Sequence, residues 1–442
     1  MASTRLDRTN GSPTNGQKGT FSTWVRVDKV AAQKIMINYL NSENYSYIRF
    51  HPSKFLQCYA TLSNSVVNNY KTERSFVDFN GWYHIVARID TTQATATDRL
   101  RLYVNGELQT AYDTQTYSGS QNAQHPILIA SATNTHRIGA DENPADYFSG
   151  LMSHFHFCDG YSYDASAFGS TDATTGEWKI NTSPSVTYGN NGYFILKDGN
   201  SVTDQSGQGN NFTVAGGTLT KTEDCPDNVF ATINSLVPSD IASLSKGNTT
   251  LRQSDQASAI ATLGFQGGKY YWEVKNSNQQ SYTQIVGVLR QARMEVSGND
   301  GYNVGTNDGS WGYFMQSNQD NGKSFHNNSL GSVYQTTSVN DILQVAVDGD
   351  AGKIWWGVNG TWVNSGDPAN GTNAVYTNLP TDDVLFPAFS NYTAGQFQIN
   401  FGNGYFGTTA VSSAGTNASG NGIFEYDVPT GFTALSTKGL NL

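Results

Sequence analysis

Apolar and polar residues alternate with a period of two in many short stretches of this chain. The run GTFSTWVRV (19–27) alternates in this way, and so do GWYHIVARID (81–90) and KYYWEVKN (269–276). A period of two places successive side chains on opposite faces, which is the pattern of a half-buried β-strand. Gly, Asn, Asp and Ser separate these stretches and favour turns. The pattern predicts many short antiparallel strands arranged in jelly-roll sandwiches.

Two predicted hairpins share one plan, although they lie in opposite halves of the chain. LRLYVNGELQ (100–109) turns at its Asn-Gly pair (105–106), and KIWWGVNGTWV (353–363) turns at its Asn-Gly pair (359–360). Asn-Gly favours a type I′ turn, because the twist of that turn matches the twist of the paired strands. Each hairpin follows a longer amphipathic strand. The repetition predicts one antiparallel sandwich in each half of the chain.

The chain has 442 residues, which is enough for two domains. We assign residues 1–180 to the first sandwich and residues 236–442 to the second. Residues 181–235 are less regular and include DQSGQGNNF (204–212), which consists mainly of turn-forming residues. We interpret 181–235 as a connector that completes the first sandwich. The predicted fold class is therefore all-β, with two antiparallel jelly-roll sandwiches in tandem.

Composition narrows the range of partners. Hydrophobic residues make up 37% of the chain and charged residues only 14%, and the net charge is −10. Proteins bind nucleic acid and anionic membranes through clusters of Lys and Arg, and this sequence has no such cluster. No apolar run approaches the roughly 18 residues of a membrane-spanning helix. We therefore expect no nucleic-acid partner and no membrane insertion.

The cysteines and the N-terminal segment bear on the compartment. Cys58, Cys158 and Cys225 are widely spaced and odd in number, so they form neither a disulfide framework nor a zinc signature. The segment MASTRLDRTNGSPTNG (1–16) has no apolar core of the kind that a secretory signal peptide contains. These features predict synthesis in a reducing cytoplasm without a signal peptide.

Several segments resemble known families. TFSTWVRV (20–27), GWYHIVARIDTTQATATDRLRLYVNG (81–106) and YFSGLMSHFHFCDG (147–160) resemble the laminin-G/concanavalin A-like lectin family, in the version abundant in tailed bacteriophages. GKYYWEV (268–274) and DILQVAVDGDAGKIWWGVNGTWV (341–363) resemble a SPRY domain. Both families fold as concanavalin A-like jelly rolls. The resemblance therefore implies a laminin-G-like sandwich at 1–180, followed by a SPRY-like sandwich at 236–442.

The resemblance also implies a function. It indicates a non-enzymatic bacteriophage virion surface protein, either a head fibre, a capsid decoration protein or a tail fibre. This protein would act at the virion surface as a lectin-like adhesin for host-surface glycans. The alternative is a purely structural decoration protein that clamps onto other virion subunits without binding glycan. The expected partners are other virion proteins, host glycans in the adhesin interpretation, and further copies of the chain, since repetition strengthens weak contacts.

The spacing of Asp and Glu residues in the sequence does not support an enzymatic role. Glycoside hydrolases need two carboxylates that flank the scissile bond. The sequence has no Glu-x-Asp-x-x-Glu pattern of the kind that glucanases of this fold carry on one strand. The acidic stretches DENPAD (141–146) and DGDAG (348–352) fall in predicted turns. We expect no enzymatic activity.

Two groups of side chains are candidates for metal binding. Asp141, Glu142 and Asp146 supply hard oxygens in one loop, and the laminin-G resemblance implies a calcium ion as a known accessory. His154 and His156 stand two apart on one predicted strand face, without a third ligand. The alternatives are solvated turn carboxylates and a hydrogen-bonded histidine pair. Apart from this candidate calcium, no cofactor is expected.

Sugar-binding sites use flat aromatic rings and amide side chains. The stretch NDGSWGYFMQSNQDNGKSFHNN (307–328) offers Trp311, Tyr313 and several amides, and the SPRY resemblance implies that loops at one end form the binding surface. Tyr282 and Trp362 are expected to be neighbours of this surface. Trp311 and Tyr313 also fit the core positions of a strand, and the sequence leaves both interpretations open. Trp272 and Trp356 alternate with apolar residues and are assigned to the core.

Overall fold

The computed structural model describes residues 3–28, 31–79, 81–128, 134–143, 145–197, 201–236, 243–252, 257–291, 304–392 and 394–442. Two compact units make up the chain, Met1–Lys221 and Thr222–Leu442. In these described residues the helical structure is limited to short 3-10 turns. None of their helices is long and apolar enough to cross a membrane. The predicted all-β class, with two tandem jelly-roll sandwiches, is confirmed.

The first unit contains sixteen described strands. They are β1 (Arg5–Thr9), β2 (Lys18–Val27), β3 (Gln33–Asn41), β4 (Asn44–Phe50), β5 (Leu56–Leu62), β6 (Ser65–Thr72), β7 (Tyr83–Asp90), β8 (Leu100–Val104), β9 (Glu107–Leu108), β10 (Tyr112–Tyr117), β11 (Thr135–Ile138), β12 (Gly150–Asp159), β13 (Gly169–Thr171), β14 (Trp178–Ile180), β15 (Tyr193–Ile195) and β16 (Thr213–Gly216).

Fourteen of these strands form two packed sheets, and β13 and β14 pair separately as a two-stranded sheet. One sheet has the order β10-β6-β5-β4-β3-β11-β1-β16, and the other has the order β15-β12-β2-β7-β8-β9. The alternation seen in the sequence decides which face is buried. On β4, Ile48 and Phe50 enter the core, whereas Tyr45, Tyr47 and Arg49 occupy the opposite face. Burial of the inner rows between the sheets supplies the main stabilisation of the unit.

The second unit also contains sixteen described strands. They are β17 (Ser243–Ser245), β18 (Thr250–Arg252), β19 (Ala257–Ile260), β20 (Lys269–Asn278), β21 (Ile285–Arg290), β22 (Ser310–Phe314), β23 (Lys323–His326), β24 (Ser329–Val333), β25 (Ile342–Asp348), β26 (Lys353–Val358), β27 (Thr361–Trp362), β28 (Leu385–Asn391), β29 (Gln396–Asn400), β30 (Tyr405–Phe406), β31 (Thr409–Ala410) and β32 (Thr433–Ala434).

Two sheets again enclose the core of this unit. Their orders are β17-β18-β29-β20-β25-β26-β27, with β32 added beside β20, and β19-β28-β21-β22-β23-β24. Among the described strands every pairing is antiparallel except that of β32 with β20. Trp272 and Trp356 are both 0% exposed in this core, as their alternation with apolar neighbours predicts.

The segment 181–235 contributes to both units. β15 pairs with β12, and β16 pairs with β1, so this part of the segment joins the first sandwich. Further on, Phe230 bridges to Ser436 and Ile233 bridges to Ala261 in the second unit. The division between the two units, at residues 221 and 222, lies inside the segment.

Both predicted hairpin turns have the expected backbone. The φ angles are 49° at Asn105, 80° at Gly106, 50° at Asn359 and 86° at Gly360. A type I′ turn requires positive φ at both central residues, and Asn and Gly tolerate that region best. The local residue choice therefore sets the geometry of these two hairpins.

The regular alternation expected along 151–158 is interrupted. The pairing of β12 with β2 shifts register between Ser153 and His156, and His154 has a φ of 48°. This bulge changes which face each residue occupies, because an extra residue reverses the order of a period of two. Met152 consequently packs against the core together with Phe155, whereas a strict period of two would place them on opposite faces.

Candidate functional site

Trp311 and Tyr313 lie inside the second sandwich. They occupy β22 with exposures of only 2% and 0%. Nε1 of Trp311 donates to Oδ1 of Asn378 at 3.1 Å, and its ring stacks on His326 with centroids 4.8 Å apart. The Tyr313 hydroxyl donates to the carbonyl of Gln335 at 2.6 Å. Neither ring offers a face to a ligand, so the core interpretation of these two residues fits the geometry.

Trp362 lies on the outer face of the sheet that contains β20 and β26. It stands just after the second hairpin turn, half-buried, with its ring 6.3 Å from that of Tyr271. Both rings belong to a cluster that includes Phe424 and Phe432 of the C-terminal segment. Trp362 therefore helps to hold this segment against β20 and leaves only part of its ring accessible.

Tyr282 is the predicted binding residue that projects into solvent. Its exposed fraction is 55%, and it lies in the loop between β20 and β21. Its ring packs edge-to-face on Tyr392, with centroids 5.3 Å apart. An edge-to-face partner fixes the orientation of a ring while leaving one face open. Tyr392 follows the end of β28 and was not among the residues predicted from the sequence.

A set of amide side chains lies on the same segments as this tyrosine pair, and we call it the amide belt. Its members hydrogen-bond to one another or to backbone carbonyls at the ends of β20, β21, β22 and β28, and they are Asn278, Gln279, Gln280, Gln284, Gln316, Asn318 and Asn391. Oε1 of Gln284 accepts from the Gln280 backbone N–H at 2.7 Å, and Nδ2 of Asn318 donates to the carbonyl of Ser281 at 3.0 Å. These bonds hold the loop that carries Tyr282 in one conformation.

The belt brings together segments that are far apart in sequence. β28, β21 and β22 are neighbours in one sheet and run antiparallel. The end of β28, the start of β21 and the end of β22 therefore meet at the same end of the sheet. Gln316 and Asn318 fall within the amide-rich stretch that the sequence singled out. The run NSNQQSYTQ (276–284) supplies most of the others, and its density of amides was the signal that could have located them.

The loop predicted to bind calcium is occupied by cations of the protein itself. Lys34 Nζ lies 3.0 Å from a carboxylate oxygen of Asp141. NH1 of Arg137 donates to the carbonyls of Asp141 and Glu142 at 2.7 and 2.6 Å. The carbonyl of Asp146 accepts from the Lys34 backbone N–H. Across the described residues, no group of three His, Cys, Asp or Glu side chains is arranged to hold a metal ion.

The histidine pair is likewise engaged by the protein. His154 and His156 are 4% and 2% exposed on either side of the bulge in β12. Nδ1 of His154 lies 2.8 Å from the Ser153 hydroxyl, and Nδ1 of His156 lies 3.0 Å from the Tyr188 hydroxyl. The His156 ring stacks on Phe194 at 4.0 Å. The geometry matches the hydrogen-bonded alternative.

Glu273 is a buried carboxylate that the sequence analysis did not select. Burial on β20 raises its pKa to about 7, against the opposing effect of four hydrogen bonds. The donors are the backbone N–H groups of Glu425 and Tyr426, the Tyr271 hydroxyl and Nδ2 of Asn400. A carboxylate that is 0% exposed and surrounded by protein donors ties the C-terminal segment to β20 and cannot reach an external substrate.

Two domain families match the chain. Residues 3–166 match the model of the concanavalin A-like lectin/glucanases superfamily, in its laminin G form, and residues 269–404 match the SPRY domain. A laminin G domain and a SPRY domain are therefore found in tandem. Such domains are typically binding modules that mediate protein or carbohydrate interactions.

Solved structures are also similar to parts of the chain. The SPRY domain of human HERC1 is 19% identical, with 34% of this chain and 87% of that chain covered and a TM-score of 0.28. The TRIM65 PSpry domain is 18% identical, with 38% and 89% covered and a TM-score of 0.31. A SAP-like pentraxin from Limulus polyphemus is 13% identical, with 36% and 71% covered and a TM-score of 0.28. No curated protein matches the chain.

Proposed function

We propose that this protein is a non-enzymatic bacteriophage virion surface protein that binds host-surface glycans as a lectin-like adhesin. The observation that carries the glycan part is the exposed ring of Tyr282, which is braced by Tyr392 and shares its segments with the amide belt. The resemblance of the first half to the laminin-G version abundant in tailed phages supports the virion part. A head fibre, a capsid decoration protein and a tail fibre are all compatible with it.

The chemistry of the belt suits a sugar. A pyranose ring presents C–H groups on one face and hydroxyl groups around its rim. The open face of Tyr282 is a partner for the C–H groups. The partly exposed amides of the belt can donate to and accept from hydroxyls, and they are Asn278, Gln279, Gln280 and Asn318, whereas the buried amides support them from below. The hydrogen bonds within the belt fix these groups before a ligand arrives, which lowers the entropic cost of binding. A single exposed ring still gives weak affinity, so adhesion requires many copies.

A glycan array tests this proposal. The purified full chain should show saturable preference for a subset of glycans, and Tyr282→Ala should weaken binding to them at least tenfold. The variant should melt at the wild-type temperature, because the Tyr282 side chain is largely exposed. Tyr161→Ala, which removes an exposed tyrosine of the first unit, is the matched control and should bind normally. Equal binding by wild type and Tyr282→Ala would remove the loop site from the proposal.

The purely structural decoration role is the second candidate, and an edge strand favours it. All five residues of β24 are exposed, and Leu330 and Val333 are 49% and 55% exposed. β24 ends its sheet, and an unprotected edge offers backbone groups for pairing with another chain. In this role, Leu330→Lys would abolish incorporation into particles, and the array would stay blank.

A further inference from the structure

Four tyrosines lie together on the outer face of the larger sheet in the first unit, and we call them the tyrosine platform. Tyr39 and Tyr45 pair across β3 and β4, and Tyr47 and Tyr59 pair across β4 and β5. The ring centroids of Tyr45 and Tyr59 are 5.9 Å apart, and those of Tyr47 and Tyr59 are 5.3 Å apart. Tyr47 is buried beneath its neighbours, whereas the other three rings are partly exposed.

A row of basic and amide side chains runs beside the platform, and we call it the basic row. Lys34, Arg49, Gln57 and Lys71 are cross-strand partners in that order on β3, β4, β5 and β6. With neighbouring strands about 4.8 Å apart, the row spans about 14 Å. Nε of Arg49 donates to Oε1 of Gln57 at 2.8 Å, and Nε2 of Gln57 donates to Oδ1 of Asn69 at 2.8 Å.

Two cations of the basic row lack a carboxylate. Lys34 pairs with Asp141, but among the described residues neither Arg49 nor Lys71 forms an ion pair. The guanidinium of Arg49 lies 4.9 Å from the Tyr47 ring centroid. Its hydrogen bond to Gln57 uses Nε, and among the described residues its two terminal amino groups have no hydrogen-bond partner. Burial lowers the pKa of His51, and the charges of Arg49 and Lys71 lower it further, so both cations lie near this side chain. In a chain of net charge −10, this is a local surface suited to an anion.

We propose that the tyrosine platform and the basic row bind an acidic polysaccharide, a chain of pyranose rings that carry carboxylates. The tyrosine rings pack against the C–H faces of the sugars, and Arg49 and Lys71 form ion pairs with the carboxylates. The length of the row fits several sugar units and not one. This site lies in the first unit and does not depend on Tyr282.

The row offers few cations for a nucleic-acid strand. Among the described residues only Arg49 and Lys71 of the row are without a carboxylate partner, whereas nucleic-acid binding relies on clusters of Lys and Arg. The chain as a whole carries a net charge of −10. A polysaccharide whose rings also pack on the tyrosines therefore fits this surface better.

Binding of the full chain to three uronate polymers, alginate, hyaluronate and polygalacturonate, tests the proposal. At least one should bind, with an affinity that falls as sodium chloride is raised, whereas neutral dextran should not bind. The double variant Arg49→Gln/Lys71→Gln should weaken that binding at least tenfold. Lys179→Gln, which removes an exposed lysine of the same unit, should leave it unchanged.

A second pair of variants tests the aromatic part. Tyr59→Phe should keep the binding and Tyr59→Ala should lose it, with thermal melting used to confirm that both fold. Tyr282→Ala should have no effect here, so failure of the loop site and failure of this site give different results. Absence of binding to all three polymers would overturn the proposal. It would also be overturned by unchanged binding in the double variant, or by tighter binding of a thymidine oligonucleotide.

Discussion

The His84 imidazole is held in one tautomer by its two neighbours. Nε1 of Trp178 can only donate, and it lies 3.0 Å from Nδ1, so that nitrogen accepts. Nε2 therefore carries the proton and donates to the Ser22 hydroxyl at 2.9 Å. Burial lowers the pKa of His84 to about 3. Protonation at Nδ1 would break the hydrogen bond from Trp178. This hydrogen bond anchors the β13–β14 hairpin over the sheet that contains β2 and β7.

Several other histidines of the first unit share this behaviour, which predicts acid sensitivity. Burial lowers the pKa of His125 and His136 to about 3 and that of His156 well below its ordinary value of 6.5. The unfolded chain therefore binds protons first as the pH falls below 6.5, and stability present above that pH is lost progressively toward pH 3. At pH 5, keeping each of His84, His125 and His136 neutral lowers the free energy of unfolding by about 2 kcal/mol.

The variant His84→Gln isolates one of these contributions. Glutamine retains an acceptor for Trp178 and a donor for Ser22, but it does not titrate. The loss of unfolding free energy between pH 7 and pH 5, measured by urea denaturation, should shrink by about 2 kcal/mol. His51→Gln, at a partly exposed site, should reduce it less. An identical loss in wild type and His84→Gln would show that His84 is not held neutral.

Glu273 predicts the opposite pH response in the second unit. Its pKa is raised from 4.5 to about 7, so the folded state holds a proton that the unfolded chain releases. Stability is therefore greatest below pH 4.5 and falls as the pH rises toward 7. Glu273→Gln should remove this dependence, which amounts to about 2 kcal/mol between pH 5 and pH 7. Urea denaturation at the two pH values provides the measurement, and a profile unchanged in the variant would argue against the raised pKa.

Among the strands and turns, local rules account for most of the structure. The alternation in GTFSTWVRV and GWYHIVARID predicted β2 and β7, because one face of each strand packs into the core between the sheets. The opposite face is buried as well, since Val86 packs with Phe168 in a second cluster. The Asn-Gly pairs predicted both hairpin turns for a similarly local reason. The bulge at Ser153–His156 could not be predicted, since it depends on how β12 fits between β2 and β15.

The hairpin at 359–360 gives a test of this local control. Gly360 has a φ of 86°, which β-branched residues resist, so Gly360→Val should destabilise the second unit by about 1–2 kcal/mol. Gly360→Asn adds the same Cβ, which would meet the Tyr426 ring at 2.9 Å, but asparagine tolerates positive φ. The asparagine variant should therefore melt above the valine variant. Equal melting temperatures would mean that the ring contact, and not the backbone, sets the cost.

The residues of the candidate site were harder to predict from the sequence than the strands were. SWGYF (310–314) alternates as a strand should, and the same letters fit a ligand-binding surface, so Trp311 and Tyr313 remained ambiguous until the core was known. Tyr282 was selected, but Tyr392 was not. The two are 110 positions apart in sequence, and only the pairing of β21 with β28 brings their loops together. Contacts of this kind follow from sheet order, which local patterns do not contain.

At the scale of the whole molecule, each unit has its own core and its own titrating groups. The buried histidines lie in the first unit, and the buried Glu273 lies in the second unit. Differential scanning calorimetry of the full chain should show two transitions. Acidification from pH 7 to pH 5 should lower one transition temperature and raise the other, for the reasons given above. A single transition, or two that move in the same direction, would contradict this assignment.

We propose that the protein binds to cell surfaces through carbohydrate. The most direct test of this proposal is the binding of the labelled full chain to a panel of bacterial strains before and after periodate oxidation of their surface sugars. We predict saturable binding to some strains, which is lost after periodate and retained after protease treatment of the cells. Tyr282→Ala together with Arg49→Gln/Lys71→Gln should reduce this binding at least tenfold. Binding that survives periodate and disappears with protease would contradict the proposal, because the receptor would then be a protein.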